Sequence, residues 1–329
     1  MALKGYWGFV VRKITASVII IFTIISTTFV LFRMMPGDPV QLMFNDPRLS
    51  KGDMELLYER FGLTGSLWEQ FVAYLRQLLL HGDLGMSFMQ QRPVMDVLAS
   101  RIPQTILLMI VAIVVALLVG VSLGTIAGWR TGSKFDTAVI TGALTMYGIP
   151  TFCMGIILLL VFGVYLKIFP IGGYSSPVSG LTGFAYLLDV ARHLVLPALA
   201  VTLWYIGAYI LITRNSMHDV KDQDYIISAR AKGLKESVVI RKHGFRNALL
   251  PVTTATGLYL AHALGGAVQA EVVFAWPGLG LLMYESIIRR DYPVLQGAFL
   301  IMGIVIIVAN LVVDLIYGLL DPRIKVGGG

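Results

Sequence analysis

Six stretches of this chain contain no Asp, Glu, Lys or Arg and are strongly apolar: residues 14–32, 102–129, 137–166, 193–213, 247–270 and 292–313. A helix crosses a hydrocarbon core of roughly 30 Å with about 20 residues at 1.5 Å each, so every one of the six is long enough to span a membrane. Two further charge-free runs do not qualify. Residues 168–188 carry Pro170, Gly172, Gly173, Pro177, Gly180 and Gly183, which leave backbone groups unpaired and read as a loop. Residues 272–284 are short and interrupted by Pro277-Gly278, and read as interfacial or re-entrant. Hydrophobic residues make up 57% of the 329 and charged residues 14%, too few polar groups to cover a soluble surface. A soluble globular protein, a disordered chain and a nucleic-acid binder are thereby set aside. The single cysteine, Cys153, lies in an apolar run and excludes a disulfide framework or a cysteine-built metal site within the chain.

The expected class is thus an all-α integral membrane protein of six transmembrane helices with a small helical region outside. The first run is read as a retained helix, because it lacks a small-residue cleavage site and continues into Phe32-Arg33-Met34-Met35-Pro36. Basic residues orient the spans. With the N-terminus inside, the inner side holds Lys4, Arg12, Lys13, Arg130, Lys134, Arg323 and Lys325, and eight more in segment 214–246. The short outer segments hold Lys167, Arg192, Arg289 and Arg290. Fifteen against four predicts that both termini are cytoplasmic.

Three regions follow: 1–33, the N-terminal end and first span; 34–101, an extracytoplasmic helical region; and 102–329, a five-helix core with a cytoplasmic loop at 214–246. In the outer region, Ser50-Lys51-Gly52-Asp53 predicts a helix cap opening a helix to about Phe61. A second helix is predicted from Trp68, Phe71, Leu75, Leu78 and Leu79, closed by Gly82. Pro150 predicts a kink in the third span. Segment 214–246 is basic yet patterned for helix: Asp222 and Asp224 suit a helix start, and Gly233 breaks the pattern before a second helix carrying Arg241, Lys242 and His243. Such a bent pair suits docking to another protein; a basic helix lying on anionic lipid is the competing reading.

In that segment, Asp224-Tyr-Ile-Ile-Ser-Ala-Arg-Ala-Lys-Gly-Leu234, followed by His243-Gly-Phe-Arg-Asn-Ala-Leu-Leu-Pro251, resembles the signature loop of permeases of binding-protein-dependent ABC importers. The likeness is closest to the dipeptide/oligopeptide/nickel class. Leu31–Pro39, Gly82–Ser87, Arg92-Pro93-Val94, Phe274–Gly280, Arg290–Val294 and Asp321-Pro322-Arg323 resemble the same class, in order. The outer region after the first helix resembles the first of its two permease types.

The resemblance implies a transport subunit without catalytic residues of its own, forming half of a translocation path for peptides; nickel complexes or oligosaccharides are the alternative solutes. It implies a second, homologous permease in a heterodimer, two cytoplasmic ATPases, an extracytoplasmic solute-binding protein and a prokaryotic inner membrane. It assigns ATPase coupling to Ala229, Arg230, Ala231, Lys232, Gly233 and Leu234. The wider family opens this motif with Glu-Ala-Ala, whereas Ile227, Ser228 and Ala229 stand here, which leaves Asp224 as the acidic candidate.

No Gly-x-x-x-x-Gly-Lys-Ser/Thr loop occurs, so ATP and magnesium are expected on partner subunits and no cofactor or metal in this chain. An ion-coupled transporter acting alone needs midspan ionisable groups and inverted repeats, and His262 is the midspan inventory. An intramembrane enzyme is disfavoured by the absence of paired midspan carboxylates, His-Glu-x-x-His and Gly-x-Ser-x-Gly. Within the fifth span, His262 and Gln269 are candidates to line the path, and packing residues otherwise.

Overall fold

The computed structural model describes residues 2–34, 52, 58–59, 63–176, 180–261 and 267–320, with side-chain surroundings for all but 2–7, 9, 261 and 312–320 of these. Among the described residues every regular element is a helix, and one isolated bridge pairs Met86 with Pro93. The helices are α1 (Ala2–Met34), α2 (Leu67–His81), α3 (Val94–Ala99), α4 (Ile102–Trp129), α5 (Lys134–Gly148), α6 (Thr151–Leu158), α7 (Gly183–Lys221), α8 (Asp224–Ala231), α9 (Glu236–Val238), α10 (Phe245–Ala261), α11 (Val268–Val273), α12 (Leu279–Arg289) and α13 (Tyr292–Leu320).

Four described helical segments, in α1, α3–α4, α7 and α13, are long and apolar enough to cross a membrane. They cover the first, second, fourth and sixth of the apolar runs. The third run departs from expectation. Instead of one kinked helix, α5 ends at Gly148, Ile149 turns extended, and Pro150 starts α6 with a bend of 99° between the two halves. Pro150 supplies no N–H and its ring disfavours helix at the residue before it, so the chain breaks there rather than bending gently. Counted as one broken span, the pair makes five. The fifth run holds the 17-residue α10, and His262 beyond it lies outside the described residues. The run 168–188 is irregular through Ser176, as a loop requires, but its last residues already belong to α7.

The chain packs as two compact units, residues 1–103 with 278–329, and residues 104–277. In the first unit, α13 runs beside α1, and Val94, Val97 and Leu98 of α3 are buried with Leu84, Phe88, Leu279, Leu282 and Leu295. Helix α2 starts at a capping box, in which Ser66 N–H donates to Glu69 Oε2 (2.7 Å) and Glu69 N–H to Ser66 Oγ (3.4 Å). Gly82 ends it in the left-handed region at φ 64°. Phe71, Leu75 and Leu78 pack inward as predicted, whereas Trp68 and Leu79 are exposed. The cap predicted at Ser50–Asp53 and the helix it opens lie outside the described residues, save isolated positions. The Asp291 carboxylate, buried just before α13, accepts from Ser87 Oγ–H (2.6 Å) and from the N–H groups of Phe88 (3.0 Å) and Met89 (3.3 Å). Two segments some 200 residues apart are pinned by that one carboxylate.

In the second unit α4 and α7 approach backbone to backbone. Gly120, Gly124 and Gly128, spaced four apart, share one face of α4. A Cβ at Gly124 would stand 2.8 Å from both Ile210 O and Thr213 Cβ, and one at Gly128 would stand 2.5 Å from Arg214 O. Helix α5 reaches the same α7 through Gly207, where a Cβ would meet Ala143 O at 2.6 Å. Gly124→Ala is therefore expected to lower the stability of the purified assembly by about 1–3 kcal/mol, the usual range for overpacking. Gly142→Ala, with nothing within 4 Å of its Cβ position, is expected to be near neutral. Thermal unfolding of the two variants in parallel checks the pair, and equal melting temperatures would refute the close approach.

Candidate coupling site

Helix α7 does not stop where the charge-free run ends at residue 213 but continues to Lys221. Thirty-nine residues extend about 58 Å, well beyond a hydrocarbon core of roughly 30 Å, so the helix carries its own rigid extension out of the apolar layer. Arg214 on that extension grips Asp136 at the start of α5 in a two-pronged ion pair, Nε–Oδ1 at 3.0 Å and Nη2–Oδ2 at 2.9 Å. Gly132 N–H adds a third donor to the buried carboxylate at 2.9 Å.

After α7 the chain turns at Asp222-Gln223 and folds back as a helical hairpin. The first arm is α8, with Asp224 exposed in its first turn, where negative charge faces the N-terminal end of the dipole. Gly233 makes the bend at φ 74°, a left-handed conformation that side chains with a Cβ rarely adopt. The second arm is α9, which passes through a π-helical turn at Val239–Gly244 into α10. The hairpin is seated by Ile226, Ala229, Val239 and Ala248, all buried against Trp129, the last residue of α4, and Met217 of α7. Gly244 allows this seat: a Cβ there would lie 3.0 Å from the Trp129 ring.

Polar contacts close the hairpin over the same tryptophan. Arg230 on the first arm pairs with Glu236 on the second at 2.8 Å, Trp129 Nε1–H donates to Glu236 Oε1 at 2.8 Å, and the Arg230 guanidinium stands 5.2 Å from the Trp129 ring centre. The hydrogen bond from Arg230, followed by that from Trp129, holds the Glu236 carboxyl below its ordinary value, and the same pairing raises Arg230. Both side chains are partly solvated, so the ion pair contributes at most about 1 kcal/mol.

Of the residues assigned from the sequence, Asp224, Arg230, Ala231, Lys232, Gly233 and Leu234 are exposed on the hairpin, while Ala229 faces inward onto the seat. Exposed Tyr225, Ile227 and Val238 join Leu234 in an apolar outer surface that the motif assignment did not single out. Gln269 is exposed on α11. Two residues on, Glu271 is fully buried and accepts from Thr105 Oγ1–H at 2.6 Å, a partner 166 positions away that no local pattern reveals. The Phe274–Gly280 segment is anchored by buried Trp276, whose Nε1–H donates to Gln104 O at 3.0 Å and whose ring lies 5.0 Å from that of Tyr174.

Residues 120–326 match the family described as the inner membrane component of binding-protein-dependent transport systems, and residues 6–109 match the description of its N-terminal part. The chain belongs to this family. It is similar, at 38% identity over 97% of its length and 99% of the relative's, to the oligopeptide transport system permease protein AppB of Bacillus subtilis. It is 35% identical to the dipeptide transport system permease protein DppB of Escherichia coli K12 (96% and 98% coverage) and to the di/tripeptide permease DppB of Pseudomonas aeruginosa (97% and 98%). This inner membrane component is a multi-pass, helical transport subunit.

Thr137, Thr141 and Thr145, four apart on α5, are exposed opposite the face that buries Asp136 and Ala143. Thr145 donates to Thr141 O at 2.9 Å, so its oxygen still offers lone pairs outward. Beside them the rings of Tyr147, Trp204 and Tyr259 link α5, α7 and α10, with centroids 5.0 and 6.4 Å apart.

The seat makes a direct prediction. Trp129→Ala removes the Glu236 donor, the Arg230 platform and the buried wall for Ile226 and Val239, and is expected to speed amide hydrogen exchange across 224–244 at least about tenfold, since loss of a large buried side chain costs about 3 kcal/mol or more. Glu236→Gln is expected to have a smaller effect. The charged form of Glu236 is the favoured one when folded, so its contribution is present at neutral pH and fades as pH falls through its lowered pKa. Unchanged exchange in Trp129→Ala would mean that the hairpin is held by something else.

Proposed function

We propose that this chain is one of two permeases of an ATP-driven peptide importer, and that the hairpin 222–244 receives the ATPase stroke. The observation that carries this reading is the seat of the hairpin: both arms are locked onto the ends of α4 and α7, yet its outer face is exposed and apolar at Tyr225, Ile227, Leu234 and Val238. An element that is rigid towards its own membrane helices and sticky towards the outside transmits a rigid-body displacement. Lys232 and Gly233 at the tip, with Arg230, Ala231, Leu234 and Asp224, form the docking face; Ala229 supports it from beneath. The peptide names carried by the similar permeases favour peptides as solute. On this reading both termini and the hairpin are cytoplasmic, ATP and magnesium belong to two partner ATPases, and an extracytoplasmic binding protein and a second permease complete the inner-membrane assembly. The hydroxyl face of α5, the adjoining aromatic rings and Gln269 line the path, joined by His262.

The test uses the full assembly reconstituted in sealed vesicles with its binding protein. Gly233→Val, a β-branched residue forced towards φ 74°, and Leu234→Asp on the docking face are expected to insert normally but to reduce ATP-driven peptide uptake by tenfold or more, about 1.4 kcal/mol of lost coupling on the usual scale. Wild-type uptake in both variants, or uphill uptake by this chain without ATPases, would overturn the reading.

A further inference from the structure

A groove of about 420 Å³ opens between α4 and the π-helical turn leading into α10, lined by Val121, Ser122, Thr125, Ile240, Arg241 and Phe245. None of these residues belongs to the docking face. Its chemistry is uneven. Arg241 brings a positive charge, and no carboxylate is among the lining residues. Thr125 is among the lining residues, and its buried Oγ1 has no hydrogen-bond partner, an O–H that needs an acceptor. Ser122 Oγ spends its proton on Leu118 O at 2.6 Å. The remaining walls, Val121, Ile240 and Phe245, are apolar. A guanidinium and an unsatisfied hydroxyl set in apolar walls fit an oxyanion attached to hydrocarbon, that is, a phosphate ester.

The depth of the groove selects which ester. Thr125 lies four residues before the end of α4 at Trp129, about 6 Å along the axis, where the polar and hydrocarbon layers of a bilayer meet. Exposed Leu118 and Val114 continue the face of Ser122 and Thr125 up the helix. From Thr125 to Val114 is about 16 Å, close to half of a roughly 30 Å core, the length of one acyl chain in one leaflet. Lys242 adjoins Arg241 in sequence, Arg246 follows five residues on, and both are exposed, so the headgroup region is strongly positive.

We infer that this groove holds an anionic phospholipid of the leaflet on the hairpin side, its phosphate on Arg241 and Thr125 and one chain along Leu118 and Val114. The cytoplasmic assignment of that leaflet rests on the orientation proposed above; the lipid site itself does not. Because Ile240, Arg241 and Phe245 belong to the second arm of the hairpin and its continuation, a bound lipid braces that arm against α4.

The whole transporter in nanodiscs of phosphatidylcholine, with or without phosphatidylglycerol, tests the inference by native mass spectrometry of retained lipid. Arg241→Gln is expected to lower the preference for phosphatidylglycerol about fivefold, the usual worth of one basic residue near an anionic surface. Thr125→Val is expected to lower it without altering the charge, and Arg130→Gln, an exposed basic residue outside the groove, to lower it less than Arg241→Gln does. A photocrosslinker at Ser122 is expected to capture lipid, and soluble glycerol phosphate is expected not to compete. Unchanged preference in both groove variants, competition by free glycerol phosphate, or crosslinking of position 122 to the second permease would each overturn the site. Lipid retention and peptide uptake are read separately, so loss of one does not stand in for loss of the other.

Discussion

Contact between the backbones of α4 and α7, made possible by three glycines on one face, is the constraint on which the rest of the second unit depends. Apolar side chains give two membrane helices no reason to prefer each other over lipid, whose tails are equally apolar. Close approach supplies the reason, because dispersion contacts accumulate only when surfaces fit without gaps. With Gly128 resting on Met217 and the Arg214 backbone, Trp129 and Met217 become neighbours, and those two side chains are the floor on which the hairpin sits. A wider α4–α7 gap would separate them and leave Ile226 and Val239 without a common wall.

The same arrangement makes the hairpin a continuation of the membrane helices rather than a loop. Helix α7 is uninterrupted from the apolar layer to Lys221, and the second arm enters α10 without leaving helical geometry, the π turn absorbing the close pass of Gly244 over Trp129. Arg214 and Asp136 clamp the emerging part of α7 to the start of α5, so the extension is braced from two sides. A removal of either partner leaves a buried or half-buried charge unpaired, which is the costly outcome for an ion pair of this kind.

Much of this was legible in the sequence, and the failures have physical causes. Counting charge-free residues located the apolar helices, because burying a charge in hydrocarbon is prohibitive; it misplaced the end of α7, because a helix leaving the membrane loses its apolar pattern but none of its backbone hydrogen bonds. Gly233 was legible as the bend, since positive φ favours glycine. Pro150 was legible as a disturbance but not as a 99° break, because the proline ring fixes what it forbids and the neighbouring packing decides the angle. The tertiary partnerships were hidden. Trp129 meets Glu236 across 107 positions and Thr105 meets Glu271 across 166, and nothing local to either residue announces the other. Ala229 belongs to the motif by sequence, yet the helical period turns it inward, away from the residues beside it.

The placement of the few buried charges carries the last step. Among the described residues Asp136, Glu271 and Asp291 are the buried carboxylates, and each is taken up at or near a helix end: Asp136 at the start of α5 by Arg214 and the Gly132 N–H, Glu271 by Thr105 at the start of α4, Asp291 before α13 by Ser87 and two backbone N–H groups. None stands at the middle of a described apolar helix. A proton- or ion-coupled carrier places such groups at the midplane, where a change of charge state reshapes the site. Here carboxylates tie helix ends together and leave the helix middles apolar, an arrangement suited to transmitting a push between fixed bodies. The hairpin continues that pattern: its buried seat fixes it to the ends of α4 and α7, and its outer face stays exposed.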